Sequence, residues 1–117
     1  MSVSTAPFFI MGCKRSGTTL VSQILDSHSR LAVYHESYFY PIFRPQLRWY
    51  GDLRRRANLD RLVGDVRAIV QLQGHQLPSA AEIHQRLVSP TFEGVLSTLL
   101  LLHAEARGKV RGGDKTP

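Results

Sequence analysis

Short apolar runs alternate with segments of helical spacing along this 117-residue chain, and the alternation predicts a mixed α/β fold. The apolar run Phe8–Met11 predicts a first strand, and Leu31–Tyr34 predicts a second. Between them, Thr18 to about Ser27 has the spacing of an amphipathic helix. Residues 7–36 are therefore predicted to form a β-loop-α-β unit with a parallel sheet and a right-handed crossover.

The region 53–107 is predicted to be helical. Apolar residues at helical spacing predict a long helix over about 53–73, and a capping box predicts a short helix over about 79–87. Serine as cap and proline in the first turn predict a further helix over about 89–107. Residues 109–117 predict the start of a third strand that leads into a turn.

Two aromatic segments allow two interpretations. Tyr38–Phe43 and the pair Trp49–Tyr50 either line an acceptor pocket or pack the core, and packing is the favoured interpretation. Pro41 and Pro45 are predicted to stop regular structure here. The arginines of the 53–73 helix either bind an acidic partner or form a solvated face, and the aspartates among them favour the solvated face.

Composition and charge narrow the function classes. Hydrophobic residues make up 43% and charged residues 21% of the chain, which is typical of a soluble globular domain. The single cysteine, Cys13, excludes an intrachain disulfide and a zinc cluster, and it favours a cytoplasmic location. The net charge of +6 favours anionic partners, and the histidines lack a shared metal-ligand spacing. We expect no metal and no membrane span.

The segment between the first strand and the first helix combines glycines, cations and hydroxyls. Its candidate ligand-binding residues are Gly12, Lys14, Arg15, Ser16, Gly17, Thr18 and Thr19. Glycines allow backbone N–H groups to converge, and a helix N-terminus adds unsatisfied donors, so the segment is predicted to bind a phosphate or sulfate group. The glycine spacing matches a P-loop, but Thr18 stands where that motif has lysine.

Glu36 follows the second predicted strand. Ligands of parallel sheets bind at the carboxyl ends of the strands, so Glu36 is expected near the glycine-rich segment. A carboxylate in that place serves either as a general base or as a salt-bridge partner of Lys14 or Arg15.

Three motifs together resemble the sulfotransferases that use 3′-phosphoadenosine 5′-phosphosulfate (PAPS), and most closely their bacterial branch, which has a P-loop fold. The motifs are Arg15–Thr19, the glutamate at position 36 followed by aromatic residues, and Gly113–Pro117. The resemblance implies that Lys14 to Thr19 surround the 5′-phosphosulfate and that Arg15 faces the leaving-group oxygen. It also implies that Glu36 is the catalytic base and that Lys115 reaches the sulfuryl group.

The implied reaction is metal-free sulfuryl transfer from PAPS to an acceptor hydroxyl or amine on a small molecule, saccharide or peptide. Nucleic acid and membranes are not expected partners. The resemblance ends at the third strand, so residues 1–117 are predicted to be the N-terminal part of a single sulfotransferase domain, without the residues that bind the 3′-phosphate. The alternatives are a non-catalytic nucleotide- or anion-binding fragment and a P-loop kinase, which Thr18 disfavours.

Overall fold

The computed structural model describes residues 6–11, 17–35, 37–75 and 78–116. Within these ranges one parallel sheet is formed, with the strand order β1-β3-β2. Its strands are β1 (Phe8–Met11), β2 (Leu31–His35) and β3 (Arg111–Thr116). The predicted α/β class with a parallel sheet is confirmed, and the third strand in the sequence lies in the centre of the sheet.

The described residues also form five α-helices and one 3-10 helix. These are α1 (Thr18–Asp26), α2 (Phe39–Phe43), the 3-10 helix (Arg44–Tyr50), α3 (Arg56–Leu72), α4 (Ala80–Arg86) and α5 (Phe92–Ala106). The chain divides into two compact units, one of residues 1–37 and 100–117 and the other of residues 38–99.

The sheet belongs to the first unit, where it packs against the end of α5. The rings of Tyr34 and His103 lie 5.1 Å apart, and a side chain at Gly112 would overlap the backbone carbonyl of Leu100. Tyr34 pairs with Asp114 across the ladder. Side chains alternate between the faces of a strand, so Gly112 and Asp114 share the α5 face with Tyr34.

The second unit is built around α3 and an aromatic cluster. The buried residues of α3 recur every three or four positions and form one apolar stripe, as the sequence predicts. They are Leu59, Leu62, Val63, Val66 and Val70. Phe43 lies 6.4 Å from Phe39 and 6.2 Å from Phe92, measured between ring centroids. All three rings are buried, so the core interpretation of this aromatic segment is confirmed for Phe39 and Phe43.

Two proline predictions are wrong. Pro41 lies inside α2 and Pro45 lies inside the 3-10 helix, so neither stops regular structure. Both prolines occupy the first turn of their helix. The backbone N–H groups of a first turn have no intrahelical acceptor, so proline removes no hydrogen bond there.

The predicted start of the last helix is also wrong. α5 begins at Phe92, after Ser89 and Pro90, and the hydroxyl of Thr91 accepts a hydrogen bond from the Gly94 N–H at 2.9 Å. This is the bond of an N-cap residue, so Thr91 takes the capping role. By contrast, the predicted cap of α4 is confirmed, because Ser79 accepts a hydrogen bond from the Glu82 N–H.

A fourth prediction is wrong at the end of the described residues. Residues 111–116 continue as a strand, where the sequence predicts a turn. A methyl group at Gly112 would overlap the Leu100 carbonyl, and one at Gly113 would overlap the ring of Phe8. The two glycines are therefore needed for close packing on both faces of the central strand, not for turn formation.

Candidate functional site

The three strands end at the same edge of the sheet. In the ladder, Met11 pairs with Thr116 and His35 pairs with Lys115. We call this edge the carboxyl edge and define it by Met11, His35 and residues 114–116. Ligands of open α/β sheets bind beyond such an edge. The glycine-rich segment starts directly after Met11, and Glu36 directly follows His35.

The strand order changes one detail of the predicted site. Because β3 lies between β1 and β2, the ends of the outer strands are two strand spacings apart, or about 10 Å. The residues between them belong to β3. Asp114 and Lys115 therefore occupy the centre of the carboxyl edge, a position that depends on the strand order and was not predicted.

Gly17 joins the predicted ligand-binding segment to α1. It is the N-cap of the helix, with φ at 90° and ψ at 5°, and its carbonyl accepts a hydrogen bond from the Val21 N–H. A side chain added here would meet no atom within 4 Å. Glycine is favoured at this position because its backbone is left-handed, not because space is short.

Lys115 is the predicted site residue whose side chain the structure describes most fully. Its exposure is 3%, so it lies inside the protein at the end of the central strand. Side-chain alternation places it on the opposite face of β3 from Asp114. A buried ammonium interacts more strongly with a nearby anion than an exposed one, because the surroundings screen the charge less.

A buried polar link at the carboxyl edge joins Ser37 to Asp114. The Ser37 N–H donates to Asp114 Oδ1 at 3.2 Å, and the Ser37 hydroxyl donates to Oδ2 at 2.6 Å. The two residues are 0% and 5% exposed. One carboxylate thus binds two polar groups of the segment that leaves β2, and it ties that segment to β3.

The charge of Asp114 also affects Tyr34, its neighbour in the ladder. Burial, with the nearby negative charge of Asp114, raises the pKa of Tyr34 above the ordinary tyrosine value. Tyr34 is therefore a neutral phenol at physiological pH, and its ring packs against His103.

The remaining predicted site residues are not among those that the structure describes in full. Gly12, Lys14, Arg15, Ser16 and Glu36 lie outside the described residues, as do the side chains of Thr18 and Thr19. Their predicted roles stay predictions. Gly17 and Lys115 are the predicted site residues that the structure describes in full.

Neither Ser37 nor Asp114 has a role predicted from the sequence. A signal was present in both cases, because Ser37 follows Glu36 and Asp114 precedes Lys115 in the motifs that carry the family resemblance. The hydrogen bonds between them connect positions 77 residues apart. Such a link depends on the strand order and has no local pattern.

The other candidate contacts lie in the second unit. Trp49 is 69% exposed, whereas Tyr50 is buried and its hydroxyl donates to Asp65 at 2.5 Å. Burial and the Asp65 carboxylate raise the pKa of Tyr50 to about 12. The favoured packing interpretation is thus confirmed for Tyr50 and wrong for Trp49. Arg56 pairs with Asp60 on an exposed face of α3, in agreement with the solvated-face interpretation.

In the part of the chain that the structure describes, no three histidine, cysteine or carboxylate side chains come together as a metal site. The described helices also include none with the length and apolar character needed to cross a membrane.

An α/β sheet whose strands end together beside a helix N-terminus is an arrangement that binds phosphate-like anions. Comparison with known proteins specifies the class, because the family model described as "Sulfotransferase family" matches residues 7–117. The chain belongs to the sulfotransferase family. Neither a curated protein nor a solved structure matches it.

Proposed function

We propose that the chain forms the donor site of a PAPS-dependent sulfotransferase of the P-loop type, related most closely to the bacterial branch. The observation that carries the proposal is the family match over residues 7–117. Sulfuryl transfer is the reaction of that family. The choice of PAPS as donor and of a hydroxyl or amine as acceptor is our inference.

The described residues around residues 12–16 fit an anionic donor. Met11 ends β1 directly before this segment and Gly17 caps α1 directly after it, so described residues at the carboxyl edge and at a helix N-terminus flank it. The first backbone N–H groups of α1 lack intrahelical acceptors, and the helix dipole favours a negative charge there. Lys115 adds a buried cation at the same edge.

Three side chains are proposed to act on the reacting groups. Arg15 binds the phosphate oxygen from which the sulfuryl group departs, and Lys115 binds a sulfuryl oxygen. Glu36 is the general base. It directly follows His35, which pairs with Lys115 in the ladder. Such charge-assisted hydrogen bonds contribute about 1.5–3 kcal/mol each.

PAPS supplies the sulfuryl group when it is bound. Glu36 accepts the proton of the acceptor hydroxyl or amine as the acceptor atom forms its bond to sulfur. Arg15 stabilises the charge that develops on the phosphate oxygen as the old sulfur–oxygen bond breaks. Interactions that strengthen in this transition state accelerate the reaction most.

The acceptor is proposed to be a small molecule, a saccharide or a peptide. The family match favours sulfuryl transfer over the kinase alternative. The non-catalytic alternative, a chain that binds the nucleotide without transfer, shares the donor site. It differs from the proposed function in sulfuryl transfer, because the non-catalytic chain should show no turnover when an acceptor is supplied.

Calorimetric titration with adenosine 3′,5′-bisphosphate tests the donor site. We expect Arg15→Ala to weaken binding at least about tenfold, because one charge-assisted contact is lost. Arg30→Ala is the matched control. It removes the same charge from an exposed residue directly before β2, and its affinity should equal that of the unaltered chain.

Magnesium-ATP should bind weakly or not at all in the same titration. Tight magnesium-dependent ATP binding would favour the kinase alternative. Absence of adenosine 3′,5′-bisphosphate binding by a folded chain would contradict the donor-site proposal. Binding without sulfate transfer to any tested acceptor would select the non-catalytic alternative.

A further inference from the structure

Asp114 has no role in the proposed chemistry, yet its carboxylate is among the most buried charged groups described in the chain. It is 5% exposed and accepts hydrogen bonds from the Ser37 N–H and the Ser37 hydroxyl. A buried carboxylate is costly, because it loses the hydration that water provides. Two apolar residues of similar volume would close the same space at lower cost. A different requirement therefore accounts better for an acid here.

The position of the link suggests that requirement. Ser37 lies two residues beyond the last residue of β2, and Asp114 lies next to Lys115 in β3. His35 is paired with Lys115 in the ladder. The Ser37–Asp114 bonds therefore hold the chain leaving β2 against the strand that carries the buried cation.

We propose that Asp114 is a positioning residue of the sulfuryl-transfer site, which fixes the segment after β2 relative to Lys115 through Ser37. The inference rests on the proposed function. It adds that the geometry around the sulfuryl group depends on this carboxylate, although Asp114 itself contacts neither donor nor acceptor. The backbone just beyond the link is also constrained, because Tyr38 has a left-handed φ of 57°, which is rare for a residue with a side chain.

The proposal separates two parts of donor binding. The 5′-phosphate is assigned to the segment between β1 and α1, whereas the sulfuryl group is assigned to the vicinity of Lys115. Loss of the Ser37–Asp114 link should therefore weaken PAPS binding more than adenosine 3′,5′-bisphosphate binding. A purely structural role would weaken both ligands equally or neither.

The experiment measures both affinities by calorimetry for the unaltered chain, Asp114→Asn, Ser37→Ala and the double variant. We expect each single variant to bind PAPS about tenfold more weakly, since small displacements of positioned groups have effects of that size. Adenosine 3′,5′-bisphosphate affinity should change less than about twofold. The double variant should resemble the single ones, because both substitutions weaken the same link.

Asp26→Asn is the matched control. Asp26 is also a carboxylate of the first unit that accepts a backbone N–H, that of Val33, but it lies before β2, away from the carboxyl edge. Its variant should lose stability and keep the ratio of the two affinities. If Asp114→Asn does not fold, Ser37→Ala decides alone, since it removes only a hydroxyl.

Several results would overturn the inference. Unchanged PAPS affinity in folded Ser37→Ala would do so, as would an equal loss for both ligands in step with reduced stability. Additive effects in the double variant would show that the two residues act separately. If the unaltered chain binds neither ligand, the donor-site proposal fails and this inference fails with it. If it binds both and the variants match it, this inference alone fails.

Discussion

The two ends of the parallel sheet use an aspartate in contrasting ways. At the end where β2 and β3 begin, Asp26 accepts a hydrogen bond from Arg107, with Nη2 to Oδ2 at 3.0 Å. It also accepts one from the backbone N–H of Val33 and lies near the ammonium group of Lys109. Its side chain is 33% exposed. At the carboxyl edge, Asp114 is 5% exposed and accepts from Ser37.

The difference shows where stability and proposed function separate. Asp26 stays partly hydrated and meets two cations, so its charge is compensated at low cost. Asp114 is almost removed from water, where keeping a charge is expensive. Proteins accept such costs mainly at functional sites. The end with Asp26 therefore serves to hold α1, β2 and the chain after α5 together, and the carboxyl edge is the better candidate for chemistry.

The largest loss of stability is expected from substitutions of Gly112 and Gly113, which lie in β3 between the two ends of the sheet. Gly112→Ala places a methyl group against the backbone carbonyl of Leu100, which has no freedom to move aside. Gly113→Ala meets the ring of Phe8, which can rotate. We expect a loss of about 3 kcal/mol or more for Gly112→Ala and a smaller loss for Gly113→Ala, measured by urea unfolding.

Gly64→Ala is the control for this pair. Gly64 lies within α3, where an added methyl group meets no atom within 4 Å. There alanine should stabilise the chain by up to about 1 kcal/mol. Equal stability of Gly112→Ala and the unaltered chain would disprove the close packing of β3 on α5.

A second comparison uses two glycines, of which only one belongs to the proposed ligand-binding segment. Gly17, directly before α1, and Gly108, after α5, both have positive φ, 90° and 71°, and open space around an added methyl group. Alanine should cost about 1 kcal/mol at either position, because the left-handed conformation is unfavourable with a side chain. Thermal unfolding measures that shared cost.

Only Gly17→Ala should also weaken the binding of adenosine 3′,5′-bisphosphate, because Gly17 belongs to the proposed ligand-binding segment. Gly108→Ala is the internal control with the same backbone strain. Equal affinities of the two variants would argue against the placement of the donor site at the N-terminus of α1.

The smallest effect concerns the pH dependence of stability. Burial alone would raise the pKa of Asp26, but the Arg107 hydrogen bond, the Val33 N–H and the charges of Arg107 and Lys109 outweigh it and lower the pKa. The folded chain then binds fewer protons than the unfolded chain at acidic pH. The stabilisation is present above the ordinary pKa and is lost as pH falls through the lowered folded value.

Asp26→Asn should therefore flatten the loss of stability at acidic pH. The effect is expected to stay below about 1 kcal/mol, because the pair is partly exposed and screened. Unfolding by urea from neutral to acidic pH measures it. Asp52→Asn, at an exposed carboxylate of the second unit, provides the comparison. An unchanged acid limb in Asp26→Asn would contradict the assignment.

Local pattern predicted most of the elements. The apolar runs located β1 and β2, the helical spacing located α1 and α3, and Ser79 marked the start of α4. Each of these signals depends on neighbours in the chain. The errors arose where the effect of a residue depends on its position within a helix, as for Pro41 in the first turn of α2.

For the candidate site, the sequence by itself determined the family resemblance and the residue types that suit an anionic donor. It also indicated that the first helix begins at Thr18 and that Lys115 belongs to a motif of interest. These inferences need only the order of residues and the chemistry of their side chains. The family match over residues 7–117 supports the same conclusion.

Only the tertiary structure decided which strand lies in the centre. The insertion of β3 between β1 and β2 brings Asp114 to Ser37 across 77 residues and buries Lys115 on the opposite face of the central strand. Strand order depends on packing between distant segments, here on Gly112 against Leu100 and Gly113 against Phe8. No local pattern encodes those contacts, because each requires both partners to be folded.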